Sequence, residues 1–329
     1  MHKIAYIIPY FGKLPSNFSL WIRSCANNPD IDFFFVTDIK GITQLPQNVK
    51  AYQITFEEMV AEVQRKIPEI NISIPNPYRL CDFKPAFGVI FEDMLPLAQY
   101  DFWGYCDTDI VFGNIRSFLD AEVLNKYDKI GFLGHSTLFR NTARMKLLFK
   151  SELNGIKPYI SCYSEGSPTN SFFDETVINE LAKEATIASY DKTIFADISP
   201  AYWNFRLGYE HGQHSLSTDI CVFTLESGNL YAHRIKDGKV MKSEYMYIHF
   251  LRRKMRLCTS ADSDLLIYPN RIIHFEHNLT MSMVRKLGRN SSVKYWLDFV
   301  ARKWRYITPK KVIIYIKERI RTRKQTKQF

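Results

Sequence analysis

The chain has 329 residues, 46% of them hydrophobic and 24% charged, a composition that excludes a disordered or fibrous protein. A chain of this length buries roughly three quarters of its unfolded surface, so its core needs no disulfides. The formal net charge is +10, and the whole excess falls within residues 301–329, which hold eleven basic residues and one acid. The neutral body argues against a broad nucleic-acid-binding face, and the basic end indicates one localised acidic partner.

The first half of the chain alternates strand and helix patterns, which is typical of a parallel sheet built from βαβ units. Residues 31–36 form a continuous apolar run, as in a central strand that is covered on both faces. Thr55 and Glu58 have the spacing of a capping box at the start of a helix. In chain order the patterns predict a strand at 3–8, a helix at 18–26, strands at 31–36 and 49–54, helices at 55–67 and 83–95, and strands at 102–106 and 129–133.

The second half is less regular, and its predicted elements are shorter. Residues 173–184 have helical periodicity, and the sequence Lys236-Asp-Gly-Lys239 is a hairpin signal between two strands. Residues 202–217 are predicted as a loop in which His211 and His214 are ordinary polar residues or part of an acceptor-binding lid. The remaining predictions are a strand at 245–250 and amphipathic helices at 294–306 and 312–323.

The six cysteines are scattered and form no CxxC pair, which argues against a zinc knuckle or a thioredoxin-type motif. Single cysteines inside apolar stretches are typical of free thiols in a reducing compartment. No apolar run approaches the 18 or more residues that a membrane span needs, and the apolar stretch before Pro9 is too short for a secretory signal. These features predict a cytoplasmic protein.

The segment Tyr105-Cys-Asp-Thr-Asp-Ile-Val111 carries the sharpest local chemistry of the chain. Of three DxD patterns, only Asp107 and Asp109 follow an apolar run that would place them at the carboxyl end of a strand, where parallel sheets bind ligands. Two carboxylates beside apolar residues are costly unless a cation neutralises them, and such oxygen ligands suit Mg²⁺ or Mn²⁺. The alternative is a turn at the strand end in which Asp109 caps a helix.

A second set of chemical groups follows in Tyr247-Ile-His-Phe-Leu-Arg-Arg-Lys254. His249 lies in a short apolar strand, and three cations follow it. The histidine is either a satisfied core residue or a third ligand for a metal that Asp107 and Asp109 hold. In the second case the basic run would meet a diphosphate.

Taken in order, several segments resemble the GT-A-fold nucleotide-sugar glycosyltransferases, and most closely the bacterial group that builds capsule, O-antigen and exopolysaccharide. The resemblance covers residues 3–255, and Cys-Asp-Thr-Asp109 and Tyr-Ile-His249-Phe are its most specific parts. It rests on Pro9-Tyr-Phe-Gly, Phe-Phe-Val-Thr-Asp38, Asp82-Phe-Lys84-Pro-Ala, Trp-Gly-Tyr-Cys-Asp-Thr-Asp109, Gly134-His-Ser-Thr-Leu-Phe-Arg-Asn141, Phe-Asp174-Glu175-Thr-Val-Ile and Tyr-Ile-His249-Phe.

The resemblance implies an α/β fold of the Rossmann-like GT-A kind, with a mixed, mostly parallel sheet flanked by helices. The catalytic domain would span residues 1–255, with a nucleotide half at about 1–112 and an acceptor half at about 113–255. Outside the resemblance, the helical patterns at 294–306 and 312–323 predict that residues 256–329 form a helical extension with amphipathic basic helices and a basic tail. The implied activity is metal-dependent transfer of a sugar from a nucleoside-diphosphate sugar to a glycan or lipid-linked glycan.

The resemblance also assigns roles to residues. The metal ligands would be Asp107, Asp109 and His249, with Mn²⁺ or Mg²⁺ as the ion. Asp174 and Glu175 would meet the sugar or the acceptor, and one of them would deprotonate the acceptor hydroxyl if the reaction inverts the anomeric centre. The remaining nucleotide- and donor-binding residues would be Pro9, Tyr10, Phe11, Asp38, Asp82, Lys84, His135, Arg253 and Lys254.

Each of these assignments has a simpler alternative. Asp38 could end a strand in a turn, Lys84 could be a solvated helix start, and His135 could be a packed strand residue. Asp174 and Glu175 could be first-turn charges that complement a helix dipole.

Two other functions fit parts of the sequence. Asp107-Thr-Asp-Ile-Val111 also matches the nucleophile motif of haloacid-dehalogenase-type phosphatases and phosphotransferases, with Asp107 as nucleophile. Against this reading, a βαβ-like region precedes the motif and no later GDxxxD loop is found. A non-enzymatic protein that binds nucleic acid through the basic tail is disfavoured by the neutral body.

The basic end has an apolar helical face with cationic flanks. Val312, Ile313, Ile316 and Ile320 share that face, and basic residues border it. Such a helix is typical of binding to an anionic membrane surface, and a lipid-linked acceptor would require it. The alternative is a helix that packs on the body. The sequence therefore predicts a cytoplasmic protein that is peripheral on the inner face of the cell membrane.

Overall fold

A computed structural model describes residues 1–289 apart from 168–170, 201, 211–212, 215–218, 252, 260–263 and 277, together with residues 293, 297 and 300. The strands are β1 (Ile4–Pro9), β2 (Ile31–Thr37), β3 (Val49–Gln53), β4 (Phe102–Cys106), β5 (Ile110–Phe112), β6 (Lys129–Ile130), β7 (Ser136–Arg140), β8 (Ser189–Tyr190), β9 (Phe195–Asp197), β10 (Tyr209–Glu210), β11 (Gln213–His214), β12 (Cys221–Glu226), β13 (Asn229–Lys236), β14 (Lys239–Tyr245), β15 (Tyr247–His249), β16 (Arg256–Leu257), β17 (Leu265–Tyr268) and β18 (Arg271–His274). The α-helices are α1 (Phe18–Ala26), α2 (Phe56–Lys66), α3 (Leu80–Phe83), α4 (Phe87–Ile90), α5 (Ala121–Lys126), α6 (Ala143–Lys146), α7 (Pro158–Tyr163), α8 (Ile178–Glu184) and α9 (Met281–Gly288).

A seven-stranded sheet organises the first 190 residues in the order β3-β2-β1-β4-β7-β6-β8. Strands β3, β2, β1 and β4 pair in parallel, β4 pairs antiparallel with β7, and the last pair, β6 with β8, is parallel. The side chains of β2 alternate between two apolar clusters, with Phe34 in one and Phe33 and Phe35 in the other. The sheet is therefore covered on both faces, as the apolar run at 31–36 predicts.

The helix predictions hold best where a local signal is strong. Thr55 caps α2, its side chain accepts from the Glu58 amide, and Glu58 bonds back to the Thr55 amide, as the capping box requires. The helix predicted at 83–95 is instead a run of short turns: α3, a 3₁₀ turn at Lys84–Ala86, and α4. Pro85 lacks an amide hydrogen and interrupts the helical hydrogen bonding there. The strand predicted at 129–133 is only the two residues of β6.

A second, six-stranded sheet has the order β14-β13-β12-β17-β18-β16. Its β13–β14 hairpin turns at Asp237 and Gly238, which both have positive φ, as the hairpin signal predicts. Residues 256–274, which the sequence assigns to a helical extension, contribute strands β16, β17 and β18 to this sheet. The apolar runs of β17 and β18 are buried against neighbouring strands, and this long-range pairing decides their conformation.

A small three-stranded sheet joins the two halves of the chain in the order β5-β15-β9. Strand β15 pairs antiparallel with β5, so that His249 lies opposite Ile110, and parallel with β9, so that His249 lies opposite Asp197. This pairing brings the segment after Asp109 beside a histidine that follows it by 140 residues.

The structure is thus an α/β fold with mixed sheets flanked by helices, compatible with a Rossmann-like arrangement. Within the described part of the chain, no helix is long and apolar enough to cross a membrane. Residues 301–329, which hold the predicted basic helix and tail, lie outside the described residues.

Candidate functional site

The candidate site lies where the strand order of the large sheet reverses. Strand β1 has β2 on one side and β4 on the other, and ligands of parallel sheets bind beyond the carboxyl ends of strands at such a point. A cavity of about 740 Å³ opens there. It is lined by Pro9, Tyr10 and Phe11 at the end of β1 and by Asp107 and Asp109 after β4. The structure therefore brings together the two strand ends that the sequence marks as ligand-binding.

The backbone around the two aspartates is fixed from both sides. The Asp107 amide donates to the His135 carbonyl at 3.0 Å, and the Phe250 amide donates to the Asp109 carbonyl at 3.0 Å. The residue just before β7 thus holds the first aspartate, and the residue just after β15 holds the second. Because the backbone bonds are made within the protein, the two carboxylates are placed at the cavity without needing a ligand to order them.

His249 completes a group with the two aspartates. One ligand atom from each of Asp107, Asp109 and His249 lies within 4.8 Å of the others. The Nε2 atom of His249 is 3.3 Å from Asp109 Oδ1, and its Nδ1 atom is 2.7 Å from Asp197 Oδ1. Burial disfavours charge on this ring, but hydrogen bonds to Asp109 and Asp197 outweigh it and raise the pKa of His249 to about 10. The group can therefore hold a cation: a proton on His249, or a metal ion that displaces it.

His135 lies beside His249, with the ring centroids 4.4 Å apart. Its Nδ1 atom is 2.9 Å from the Tyr247 hydroxyl, whereas its buried Nε2 atom has no hydrogen-bond partner among the described residues. Burial lowers the pKa of His135 well below its usual value, and the neighbouring His249 and Lys84 lower it further. His135 is therefore a neutral ring in the wall of the cavity, and with Asp197 and His249 it forms a second possible ligand group.

Lys84 is a buried side chain that contacts two carboxylates and one backbone carbonyl of the candidate site. Its Nζ atom is 2.7 Å from Asp107 Oδ1, 2.7 Å from the Gly134 carbonyl and 3.3 Å from Asp174 Oδ2. Burial works against its charge, but Asp107 and then Asp174 keep the pKa of Lys84 well above its usual value. Lys84 is therefore a buried, permanently charged group that balances the carboxylates of the cavity, and it is not a solvated helix start.

Asp174 and Glu175 lie in one π-helical turn, Phe173–Val177, that leads into α8. Burial, with smaller contributions from Glu175 and Asp107, raises the pKa of Asp174 to about 7 against the opposing effect of Lys84. The Gly134 amide donates to Glu175 Oε1 at 3.2 Å, and a Cβ atom on Gly134 would collide with the Asp174 carboxylate. A carboxyl group that titrates near neutral pH inside a cavity is suited to accept a proton.

Arg253 and Lys254, the two other predicted basic residues, both border the cavity but differ in what they contact. Arg253 is buried, and its guanidinium donates to the carbonyls of Tyr202 and, at 2.6 Å, Trp203. It borders the cavity but is engaged in fixing that loop, because backbone carbonyls occupy its donors. Lys254 is exposed and lines the cavity, so it is the better placed of the two to meet phosphate.

Asp38 and Asp82 do not line the cavity. Asp38 is exposed and accepts a hydrogen bond from the Gly12 amide at 3.1 Å, which ties the loop after β1 to the end of β2. Asp82 is buried and pairs with Arg79, which is buried as well. Its carboxylate also accepts from the amides of Ser171 and Phe173, which gives Asp82 a structural role.

The pattern of a family of unknown function (DUF6625) matches residues 6–276. The chain belongs to that family. The match begins within β1 and ends just after β18, so it includes both large sheets and the whole candidate site of this DUF6625 member. No curated protein matches the chain.

Sequence reasoning missed Asp197, which holds His249 through Nδ1. The carboxylate belongs to the three-residue strand β9, and nothing in its local sequence separates it from an ordinary strand end. Only the parallel register between β9 and β15 places it opposite the histidine. Tyr247 and Gly134 lie in segments that the sequence singles out, but their contacts with His135 and Asp174 depend on the same tertiary packing.

Proposed function

We propose that the chain is a metal-dependent glycosyltransferase that moves a sugar from a nucleoside-diphosphate sugar to a glycan or lipid-linked glycan of the cell surface. The observation that carries this proposal is the convergence of Asp107, Asp109 and His249 in a cavity at the switch point of the sheet. The order of the matching segments and the resemblance to GT-A glycosyltransferases support it. The fold alone does not decide the substrate, so the proposal depends on the site.

The donor atoms of the site fit Mn²⁺ or Mg²⁺. Two carboxylates and one imidazole nitrogen are ligands that Mn²⁺ accepts, and three protein ligands leave coordination positions open for phosphate oxygens. Asp197 fixes the ring of His249 by accepting from Nδ1, which directs Nε2 towards Asp109. Such a cation would stabilise the negative charge that grows on the departing nucleoside diphosphate.

The protein's own residues supply the rest of the chemistry. Pro9, Tyr10 and Phe11 offer an apolar and aromatic wall for a nucleoside, and Lys254 offers a positive charge for its phosphates. If the reaction inverts the anomeric centre, Asp174 accepts the proton of the acceptor hydroxyl, since its pKa of about 7 leaves it deprotonated in a useful fraction of molecules. Lys84 holds Asp174 and Asp107 in place through its ion pairs.

The proposal is tested by thermal unfolding of the full chain with each common nucleoside diphosphate, with and without Mn²⁺. We expect one nucleoside diphosphate to raise the melting temperature only when Mn²⁺ is present, and Asp109→Asn to abolish the increase. Asp93→Asn, at an aspartate that is 59% exposed and lies outside the cavity, is the matched control and should respond as the wild type does. A covalent phosphate on Asp107 after incubation with a phosphate ester, without any response to nucleotides, would instead identify a haloacid-dehalogenase-type enzyme.

We also propose that the basic tail binds an anionic membrane, where a lipid-linked acceptor resides. The tail lies outside the described residues, so the proposal rests on its sequence alone. Deletion of residues 309–329 should release the protein from anionic vesicles in flotation assays. Full vesicle association after the deletion would contradict the membrane role.

A further inference from the structure

Two large aromatic side chains stay exposed at the rim of the cavity. Tyr78 is 45% exposed and Phe172 is 53% exposed, and both line the cavity. Across the described part of the chain, they are the only aromatic residues among the exposed large hydrophobic side chains. Large aromatic rings that remain exposed at the edge of a cavity are unfavourable in water, and such a feature is typical of a binding surface.

The backbone of Phe172 adopts an unusual conformation. Its φ angle is +53°, in the left-handed region that residues with a Cβ atom rarely occupy. The Asp82 carboxylate accepts from the amides on either side of it, Ser171 at 3.1 Å and Phe173 at 3.1 Å. These two hydrogen bonds hold the flanking peptide groups and force the Phe172 ring out towards the cavity. Strained backbone that the surrounding structure maintains is concentrated at functional sites.

The same buried ion pair positions both aromatic rings. Arg79 bonds to Asp82 and directly follows Tyr78, and its Nη1 atom also donates to Ser171 Oγ at 3.4 Å. The turn that carries Tyr78 and the turn that carries Phe172 are therefore tied together. Phe172 lies two residues before Asp174, the candidate base, and the Arg79–Asp82 pair ties Tyr78 to the same turn.

We propose that Tyr78 and Phe172 form a subsite for a pyranose ring of the acceptor glycan. A pyranose has one face made of C–H groups, and these positively polarised hydrogens pack favourably on the negative face of an aromatic ring. The hydroxyl groups at the edge of the sugar stay in water or reach Asp174 and Glu175. This inference rests on the proposed function, because it assigns the sugar on these rings to the acceptor.

The test is saturation-transfer NMR on the full chain with a panel of methyl hexopyranosides as probes. We expect at least one pyranoside to receive saturation, mainly on the C–H protons of one ring face. Phe172→Gly should reduce its affinity about five- to tenfold, and Tyr78→Ala should have a similar effect. Phe172→Trp keeps an aromatic face and should retain binding. Ile156→Ala, at a 66% exposed residue outside the cavity, is the control for loss of exposed apolar surface.

Phe172→Gly is a fair test because glycine adopts positive φ without strain. Its melting temperature should be no lower than that of the wild type, so a loss of sugar binding cannot be blamed on unfolding. Pyranoside affinity that is unchanged in Phe172→Gly, or no pyranoside binding by a chain that does bind a nucleoside diphosphate with Mn²⁺, overturns the subsite and leaves the proposed function standing.

A nucleoside diphosphate should leave the bound pyranoside in place. If it displaces the pyranoside instead, the sugar occupies the donor side and the acceptor subsite is rejected. Binding of a pyranoside that depends on Phe172, in a chain that binds no nucleotide with any divalent ion, supports the subsite and rejects the glycosyltransferase.

Discussion

Two buried cations, Arg79 and Lys84, come from the same helical segment and serve different parts of the molecule. Arg79 donates to the Asp82 carboxylate, to the Cys162 carbonyl and to the Ser167 hydroxyl, all within the protein. The side chains of Arg79 and Asp82 are 2% and 1% exposed, so neither can meet a ligand. We call these two residues, with the backbone groups that they bind, the Arg79 cluster.

Lys84 lies five residues later, and its pairs are different. Its ammonium group contacts Asp107, Asp174 and the Gly134 carbonyl, and we call this set the Lys84 cluster. The Asp107 side chain is 33% exposed and lines the cavity. The charge of Lys84 is thus shared with a carboxylate that remains accessible to a ligand. The two clusters therefore bury a cation to a similar extent, and they differ in that only the Lys84 cluster has a carboxylate partner that a ligand can reach.

The largest expected effect comes from replacing one aspartate with asparagine in each cluster and comparing the two variants. Asp107→Asn should lower turnover of a nucleoside-diphosphate sugar by about a thousandfold or more, because it removes a cation ligand and electrostatic stabilisation of the leaving group. Its melting temperature should fall less than that of Asp82→Asn, because Asp174 still pairs with Lys84. Asp82→Asn should lower stability more and turnover less, because it keeps all the cation ligands. Turnover is measured as release of the nucleoside diphosphate, and wild-type rates in Asp107→Asn would remove the proposed function.

The two cations themselves give the next test. Arg79→Met leaves Asp82 as an uncompensated charge in the interior, which should cost about 3–5 kcal/mol of unfolding free energy. Lys84→Met should cost less, about 1–3 kcal/mol, because Asp107 reaches solvent and Asp174 can take up a proton. Urea unfolding of both variants measures the difference. Equal losses would show that the solvent access of Asp107 and the protonation of Asp174 do not relieve the charge left by removal of Lys84.

How far the sequence predicts this molecule depends on the range of the interactions involved. Strands β1, β2 and β4 and helices α1 and α2 follow from local apolar spacing and one capping box, and the structure confirms them. The sequence analysis also groups Asp107, Asp109 and His249, as one alternative for His249 and through the resemblance, and the structure brings them together through the pairing of β15 with β5.

Other features depend on packing between distant segments and leave no local signal. Strands β17 and β18 form only because they pair with each other and with β12, and their short apolar runs alone do not separate strand from helix. Arg253 follows His249 closely in sequence, yet its guanidinium binds the carbonyls of residues 202 and 203. Asp197 becomes important only through the register of β9 against β15.

Asp197→Asn tests how firmly the proposed histidine ligand is held next to the Lys84 cluster. The amide can no longer accept the Nδ1–H of His249 with a full negative charge, so the ring is held less firmly and is a poorer ligand. We expect Mn²⁺ affinity to fall about 10–100-fold, as for other residues that orient a metal-binding histidine. Isothermal titration of the chain with Mn²⁺ measures this without any substrate. Asp264→Asn, at an aspartate whose carboxylate accepts from the Ser227 amide in the turn between β12 and β13, is the matched control.

The smallest effect concerns the pH dependence of stability in the Lys84 cluster. Burial raises the pKa of Asp174 to about 7 from an unfolded value of 3.8, so the folded chain holds this proton more tightly than the unfolded chain does. The stability that protonation contributes is therefore complete below pH 3.8 and is lost as the pH rises through about 7. Within that window the loss approaches about 1.4 kcal/mol per pH unit.

Asp174→Asn is neutral at every pH and should escape this loss. Its unfolding free energy should exceed that of the wild type above pH 7, and the excess should shrink as the pH falls towards 4, while Lys84 keeps its pair with Asp107. Urea unfolding across this range measures the difference. A constant difference between the two proteins would mean that Asp174 does not titrate there. If the excess is found together with loss of turnover, then the fold keeps a destabilising carboxylate in the Lys84 cluster because the reaction needs it.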